Sequence, residues 1–282
     1  MKIRIFNIAL ILLILFSCFS CKKDASFSNS DTSHLLINNT AEALSNDVFK
    51  TFLYTWIVLE DSLYHPHDSL NFRYIEPCMQ ITLVPFDTIT WPKTLNINFP
   101  NSDCMCNDGL KRSGTMNVAI SGIITHVNST YKLSFDNYFV NSIPVIGTKS
   151  LSIVYSVLSK NIDFNDTVDF NVQYGSDYFQ WHAVHDLNWI SGTTTHTDMN
   201  DDIFLYNGKS AAVPLSANTS GVSGFQSNII QSIAFTNWCF WLRAGRVEVL
   251  PDNLPARTVQ YADSCLQHAT YVLNNETFDF NF

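Results

Sequence analysis

The sequence predicts a mainly β protein, an antiparallel β-sandwich with one N-terminal helix that follows a flexible tether. Three observations support this fold class. From about residue 72 apolar residues recur at every second position, as in strands with one buried face. Residues 41–63 instead repeat with the period of a helix. Hydrophobic residues make up 46% of the chain and charged residues only 15%, which is enough apolar material for a core.

The N-terminus has the pattern of a secretory signal. Two cations precede the apolar run Ile5–Phe16, which is too short to cross a membrane as a mature helix. Ser-Cys pairs close this run at Cys18 and again at Cys21. A Ser-Cys junction in this place resembles a bacterial lipobox, in which the signal is cut before an acylated cysteine. We expect residues 1–20 to be the signal peptide and Cys21 to carry the lipid, with Cys18 as the alternative.

The residues that follow favour Cys21. The chain becomes polar at once with Lys22-Lys23-Asp24 and continues as a Ser- and Asn-rich stretch, a sequel similar to that of lipoproteins from the Bacteroidota. The similarity implies a lipid-anchored protein of the cell envelope, placed at the outer membrane. Residues 21–40 are small and polar, and we expect them to form the flexible tether between lipid and domain.

Residues 41–63 are predicted to form one amphipathic helix. Large apolar residues recur there at spacings of three and four, namely Leu44, Val48, Phe52, Trp56 and Leu59. The His65-Pro66 pair ends the helix, because the residue before a proline avoids helical geometry.

Residues 72–282 are predicted to form the β-sandwich. Alternating segments include Gln80–Val84, Thr94–Phe99, Thr115–Ile120, Tyr131–Phe135, Val168–Val172, Arg246–Val249 and Thr277–Phe280. Turn signals separate such segments at Asn107-Asp108-Gly109, Asn207-Gly208 and Asn274-Asn275. A division into two related halves, 72–160 and 161–282, is one interpretation of this domain.

The cysteines suggest crosslinks, since disulfides persist outside the cytoplasm. Cys78 precedes Cys104 by the same number of residues by which Cys239 precedes Cys265, and a proline-containing loop lies inside each pair. We therefore predict the bonds Cys78–Cys104 and Cys239–Cys265, each with Cα atoms within about 7 Å. Cys78–Cys106 is the alternative for the first bond, because residues two apart on a strand share a face.

Several segments resemble a family of Bacteroidota lipoproteins to which we attach no function. They are Trp91–Thr94, Cys104–Gly114, Phe135–Asn141 and Gly147–Lys149, and the similarity covers most of the chain from about residue 75. The chain departs from the family at Cys265-Leu266-Gln267, where the family tends to have Cys-Asp-Asn. The resemblance implies an envelope location and a fold, and no activity.

Candidate metal and cofactor sites are weak, and we predict neither. His182 and His185 lie three apart in a strand-like segment, so that their side chains point to opposite faces. The acidic run Asp198–Asp202 lacks the spacing of an EF-hand. Cys104 and Cys106 alone supply only two zinc ligands. The net charge of −9 makes nucleic acid an unsuitable partner.

Catalytic residues are not predicted either, because the sequence contains no nucleophile elbow and no phosphate-binding loop. The tryptophans Trp181, Trp189, Trp238 and Trp241 could stack on sugar rings. Their alternating surroundings favour a role in the core instead.

The functional expectation is therefore a non-enzymatic envelope lipoprotein with a binding or structural role at the surface. A glycan-binding accessory protein of carbohydrate uptake and a secreted hydrolase are the alternatives. Its partners would be the membrane, through the lipid anchor, and a glycan or another envelope protein. Ser62, Ser69, Thr88 and Thr167 follow an Asp and precede an aliphatic residue, a pattern that resembles Bacteroidota O-glycosylation sites.

Overall fold

A computed structural model of the protein describes residues 31–65, 75–155, 162–195, 198–215 and 218–282. One helix, α1 (Ser33–Tyr64), is followed by fifteen strands and a short 3-10 helix at Met199–Asp201. The strands are β1 (Gln80–Val84), β2 (Lys93–Met105), β3 (Lys111–Ile120), β4 (Thr130–Val140), β5 (Ile143–Pro144), β6 (Gly147–Tyr155), β7 (Ile162–Tyr174), β8 (Asp177–Ser191), β9 (Ile203–Pro214), β10 (Phe225–Gln231), β11 (Ile233–Thr236), β12 (Arg246–Pro251), β13 (Arg257–Tyr261), β14 (His268–Leu273) and β15 (Glu276–Asn281). The predicted signal peptide, which contains Cys18, and the predicted lipidation site Cys21 lie outside the described residues.

The strands form one continuous antiparallel sheet in almost strict sequence order, from β1 to β15, with β5 paired only to β4 and β11 only to β9. This confirms the predicted mainly β, antiparallel class with one N-terminal helix. Residues Thr32–Phe282 form one compact unit. Strand β6 pairs with β7 along the whole of β6, so the sheet is continuous between 72–160 and 161–282. The division into related halves stays a prediction.

The sheet curves around α1, which supplies the layer that its inner face packs against. Helix side chains contact strands far apart in the sheet: Asp47 pairs with Arg112 of β3, and Asn38 bonds Ser227 of β10. In a flat sheet these two strands would be six spacings, about 29 Å, apart. A helix is only about 10–12 Å wide, so the sheet must curl to bring both strands to it.

The inner face of the sheet follows the predicted period of two. In β8 every second side chain from Asp177 to Trp189 is buried, and the residues between them are exposed or half-buried. The helix packs its aromatic rings into this face: the ring of Phe49 makes edge contacts with Phe164, Phe204 and Phe235. Burial of alternate strand residues against one helix explains why the sequence alternates so regularly.

The helix begins at Ser33, eight residues before the predicted start. The prediction of a flexible tether is therefore wrong for residues 33–40. The reason is tertiary. Asn38 is 1% exposed, and its Oδ1 accepts hydrogen bonds from Trp181 Nε1, Ser210 Oγ and Ser227 Oγ. The polar composition of this segment suggested that it is exposed to solvent, but these polar residues form hydrogen bonds with polar side chains on the inner face of the sheet.

The predicted turn at Asn207-Gly208 is also wrong, because both residues lie within β9. Gly208 has φ of +145° and faces β8 at close range. A Cβ atom at this position would stand 2.2 Å from the carbonyl oxygen of Val184 and 2.8 Å from the ring of His185. The glycine therefore permits close approach of the two strands at a buried histidine. The turn at Asn274-Asn275 is confirmed, with positive φ at both residues.

Both predicted disulfides are present. Cys78 and Cys104 have Cα atoms 5.8 Å apart, and Cys239 and Cys265 have Cα atoms 5.7 Å apart. The first bond joins the residues before β1 to the end of β2, and the second brackets the β12–β13 hairpin. Cys106 is free and buried, so the alternative pairing Cys78–Cys106 does not occur.

The polar contacts of the helix lead to a stability prediction. Asn38→Ala removes the acceptor shared by Trp181, Ser210 and Ser227 and leaves buried donors without it, which we expect to lower the free energy of unfolding by about 1–3 kcal/mol. Urea unfolding of both proteins, followed by circular dichroism, measures the difference. The matched control is Asn228→Ala, on the exposed face of β10, which should change stability by less than about 0.5 kcal/mol.

Candidate functional site

A cleft of about 400 Å³ lies beside helix α1, between two parts of the chain that follow it. The side chains of Lys50, Thr51, Tyr54 and Thr55 form its floor, and all four belong to α1. One wall comes from residues 76–112 and the other from residues 200–238. The size is within the range of about 300–1,000 Å³ that is typical of ligand pockets.

The first wall is built around the β2–β3 turn. The predicted turn signal at residues 107–109 is confirmed: Cys106 N donates to Leu110 O at 2.9 Å, and Gly109 has a positive φ. The Cys78–Cys104 bond holds the residues before β1 against this turn. As a result Glu76 reaches the cleft, where its Oε2 accepts the backbone N–H of Asn107 at 2.7 Å.

Arg112 is the charged centre of the first wall and is only 4% exposed. Its guanidinium donates to Asp47 Oδ1 of the helix at 2.5 Å and, with both terminal nitrogens, to the two carboxylate oxygens of Asp108 at 3.0 and 2.6 Å. Burial alone would raise the pKa of Asp108, but the bonds and charge of Arg112 outweigh it and lower that pKa.

Glu76 has the opposite electrostatic environment. Burial raises the pKa of Glu76, and the negative charge of Asp108 adds to the rise, against the opposing bond from Asn107. A carboxylate oxygen of Glu76 and one of Asp108 lie within 4.8 Å of each other. The cleft therefore brings together two carboxyl groups with different tendencies to hold a proton.

The second wall is held by Lys50 and by the second disulfide. Lys50 Nζ donates to the carbonyl oxygens of Cys239 at 2.7 Å and Thr236 at 3.4 Å, and burial lowers the pKa of Lys50 to about 8. Between these carbonyls the chain presents Trp238, which is 52% exposed. The Arg243 guanidinium lies 4.6 Å from the centre of the Trp238 ring.

The tryptophans divide between core and cleft. Trp181 and Trp189 are buried in β8, which confirms the core interpretation for these two. Trp238 and Trp241 lie between β11 and β12 and are not in strands. Trp241 is half-buried against Phe282, whereas Trp238 lines the cleft. The core interpretation is therefore wrong for Trp238, because a loop, unlike a strand, does not alternate its side chains between core and solvent.

The histidines of β8 lie on opposite faces, as predicted. His182 is exposed, with Nδ1 at 2.7 Å from Asp169 Oδ1. His185 is buried between Asp166 and Glu42, each at 3.4 Å. Burial opposes a charge on His185, but the two carboxylates outweigh it and raise the pKa of the imidazole to about 9.

Lys149 completes this buried network. Its Nζ donates to Asp166 Oδ2 at 2.5 Å and to Ser45 Oγ of the helix at 2.8 Å. The cations Lys149 and His185 balance the carboxylates of Asp166 and Glu42, so we assign this network to the attachment of the helix.

Two groups of side chains in the described part of the chain have the spacing to hold a metal ion. In the first, Cys78 and Cys104 are consumed by their disulfide, which leaves Cys106 alone. In the second, Glu76, Cys106 and Asp108, burial raises the pKa of the Cys106 thiol to about 11, which disfavours the thiolate that a metal ion would need. Neither group suits a metal.

The candidate glycosylation sites differ in accessibility. Thr88 is exposed in the β1–β2 turn, and Thr167 is exposed on β7 although Asp166 before it is buried. Ser62 bonds Leu59 O within the last turn of α1. Ser69 lies outside the described residues. These sites stay predictions.

Comparison of this chain with protein-family models, with curated proteins and with solved structures gives no match. Among the described residues there is no helix whose length and apolar character would let it cross a membrane. The function is therefore inferred from the geometry of the cleft.

Asp202, two residues after the cleft residue Asn200, leads to a prediction about pH. It is 1% exposed, and Trp189 Nε1 donates to its Oδ1 at 3.0 Å. Burial raises the pKa of Asp202 to about 7 from the usual 3.8. Because the folded state holds the proton more tightly, this contribution to stability is complete below about pH 4 and is lost as the pH rises through 7.

Asp202→Asn cannot ionise and keeps an acceptor for Trp189, so its loss of stability between pH 5 and pH 8 should be smaller by about 2 kcal/mol than that of the unchanged protein. Urea unfolding at both pH values tests this. Asp186→Asn, at an exposed position of β8, is the control and should keep the original pH dependence. An equal pH dependence in all three proteins would show that Asp202 ionises normally.

Proposed function

We propose that this protein is a lipid-anchored protein of the cell envelope, at the outer membrane, that binds a saccharide in the cleft. The observation that carries the proposal is the half-exposed Trp238 ring at the wall of a cleft whose other wall presents Glu76 and Asp108. A flat aromatic face suits the apolar face of a sugar ring, and carboxyl and amide groups suit its hydroxyls.

The charges of the cleft favour a neutral, polar ligand over an ion. Lys50 and Arg112 are matched by Asp47 and Asp108, and Arg112 is bonded to both of these carboxylates. The remaining acid, Glu76, has a raised pKa. Little net charge is left to attract a phosphate or a metal ion, whereas polar groups are plentiful and include the amides of Asn107, Asn200 and Asn237.

The two disulfides support a binding role, because each fixes one wall. Cys78–Cys104 holds the residues that carry Glu76, and Cys239–Cys265 anchors the residue next to Trp238. Pre-formed walls lower the entropy that a ligand would otherwise lose on binding. A purely structural role, which the sequence also allowed, would not explain why both walls of one cleft are restrained by disulfides.

Trp238→Ala tests the binding site. Loss of an aromatic platform worth about 1 kcal/mol or more should weaken saccharide binding about five- to tenfold or beyond. The measurement is isothermal titration calorimetry of the purified protein with the saccharides selected by a glycan-array screen. Phe86→Ala, a ring 61% exposed in the β1–β2 turn and outside the cleft, is the matched control. Equal affinities for the unchanged protein and Trp238→Ala would refute the site.

The lipid anchor is tested separately. Cys21→Ser should move the protein from the membrane fraction to the soluble fraction of its native envelope, because a serine has no thiol for acylation. Release by Cys18→Ser and not by Cys21→Ser would identify Cys18 as the modified residue. Retention of both variants in the membrane would exclude a lipid anchor at either cysteine.

A further inference from the structure

We propose that Glu76 and Asp108 form a carboxyl pair that hydrolyses a glycosidic bond of the saccharide in the cleft, with Asp108 as nucleophile and Glu76 as acid and base. This inference rests on the proposed function, since it assigns a reaction to the same cleft. It uses the cleft, its aromatic wall and the geometry of two side chains from different segments.

The distance between the carboxyl groups selects the type of reaction. One carboxyl oxygen of Glu76 lies no more than 4.8 Å from one carboxyl oxygen of Asp108. Retaining glycosidases hold their two carboxyl groups about 5–5.5 Å apart, whereas inverting enzymes need about 6.5–9.5 Å to admit a water molecule between acid and sugar. The close approach of the two groups favours hydrolysis through a covalent glycosyl intermediate over the wider arrangement of inverting enzymes.

The surroundings of the two carboxyl groups determine which is the nucleophile and which is the acid. Asp108 is kept ionised by Arg112, as a nucleophile requires. Its Oδ1 accepts from Leu110 N and Arg112, and within the described part of the chain its Oδ2 accepts from Arg112 only. A carboxylate has about four acceptor positions, so Oδ2 keeps one lone pair to attack a carbon atom.

Glu76 has the properties of the acid. Burial and the neighbouring carboxylate raise its pKa, so that it holds a proton more readily than an exposed glutamate. The Asn107 N–H binds Oε2, which orients the carboxyl group and leaves Oε1 to carry the proton. Two carboxyl groups whose pKa values are moved in opposite directions are the usual arrangement for this chemistry.

The reaction balances with water as the only co-reactant. In the first step Asp108 Oδ2 forms a bond to the anomeric carbon, the bond from that carbon to the leaving oxygen breaks, and Glu76 gives its proton to that oxygen. In the second step Glu76 takes a proton from water, the water oxygen bonds to the anomeric carbon, and the ester bond to Asp108 breaks. Both residues return to their starting states, and the sugar keeps its anomeric configuration.

The first experiment traps the intermediate in the purified protein. The probe is a 2-deoxy-2-fluoroglycosyl fluoride that carries the sugar of the best-binding saccharide from the array. Intact mass should increase by one fluoroglycosyl unit, and peptide mapping should place it on Asp108. Asp108→Asn should not be labelled. Labelling elsewhere, or none in the unchanged protein, overturns the assignment.

The second experiment separates catalysis from binding. Glu76→Gln should slow hydrolysis of the bound saccharide about 10²- to 10⁴-fold, whereas its Kd should change far less, because the amide still forms hydrogen bonds with a sugar hydroxyl. Glu276→Gln, at an exposed position at the start of β15, is the control and should hydrolyse normally. The product released by the unchanged protein should show a retained anomeric configuration by NMR, and an inverted product would contradict the nucleophile.

The outcomes distinguish the two proposals. Binding with a Trp238-dependent affinity and no hydrolysis would overturn the carboxyl pair and leave the binding function standing. Absence of binding to every saccharide would remove both. Circular dichroism of each variant verifies that it is folded, and labelling of the unchanged protein tests the pair without relying on any variant.

Discussion

The structure depends on the burial of a polar helix inside a curved sheet. Of the 32 residues of α1, most are buried, and they include Asn38, Glu42, Asp47 and Lys50. A buried polar group without a partner costs about 1–3 kcal/mol, and a buried charge costs more. A matching group must therefore lie at each of these positions. Side chains of β3, β8 and β10 provide it for Asp47, Glu42 and Asn38, and the carbonyl oxygens of Thr236 and Cys239 provide it for Lys50.

The same requirement forms the cleft. Asp47 and Lys50 lie three residues apart on α1 and reach opposite walls. Asp47 binds Arg112, which in turn fixes Asp108, while Lys50 donates to the carbonyl of Cys239 next to Trp238. The helix thus determines the separation of the two walls, and the disulfides restrain the segments that it holds. A cleft set by one rigid element is suited to holding a ligand or two carboxyl groups at a fixed distance.

Much of the fold followed from the sequence, and the errors have physical causes. Alternation along the strands was decisive because one face packs on an apolar core, and equal cysteine spacing indicated both disulfides. The first turns of the helix were not predicted, because a polar residue that is buried, such as Asn38, cannot be distinguished in the sequence from a polar residue of a solvent-exposed tether. The Glu76–Asp108 pair was not seen, although these residues flank Cys78 and Cys104. The predicted bond already implied their proximity, but the turn geometry that directs both carboxyl groups into one cleft is tertiary.

Buried ion pairs are weak evidence for stability, because desolvation cancels much of their attraction. A role in specificity explains them better here. A helix with apolar side chains all around could rotate or slide inside a curved sheet at little cost, since apolar contacts are not directional. Paired charges oppose such movements, because rotation of the helix about its axis would separate Asp47 from Arg112 while both remain buried. The Asp47–Arg112 and Ser45–Lys149 contacts fix the rotation of α1, and this rotation is what directs Lys50 and Tyr54 to the floor of the cleft.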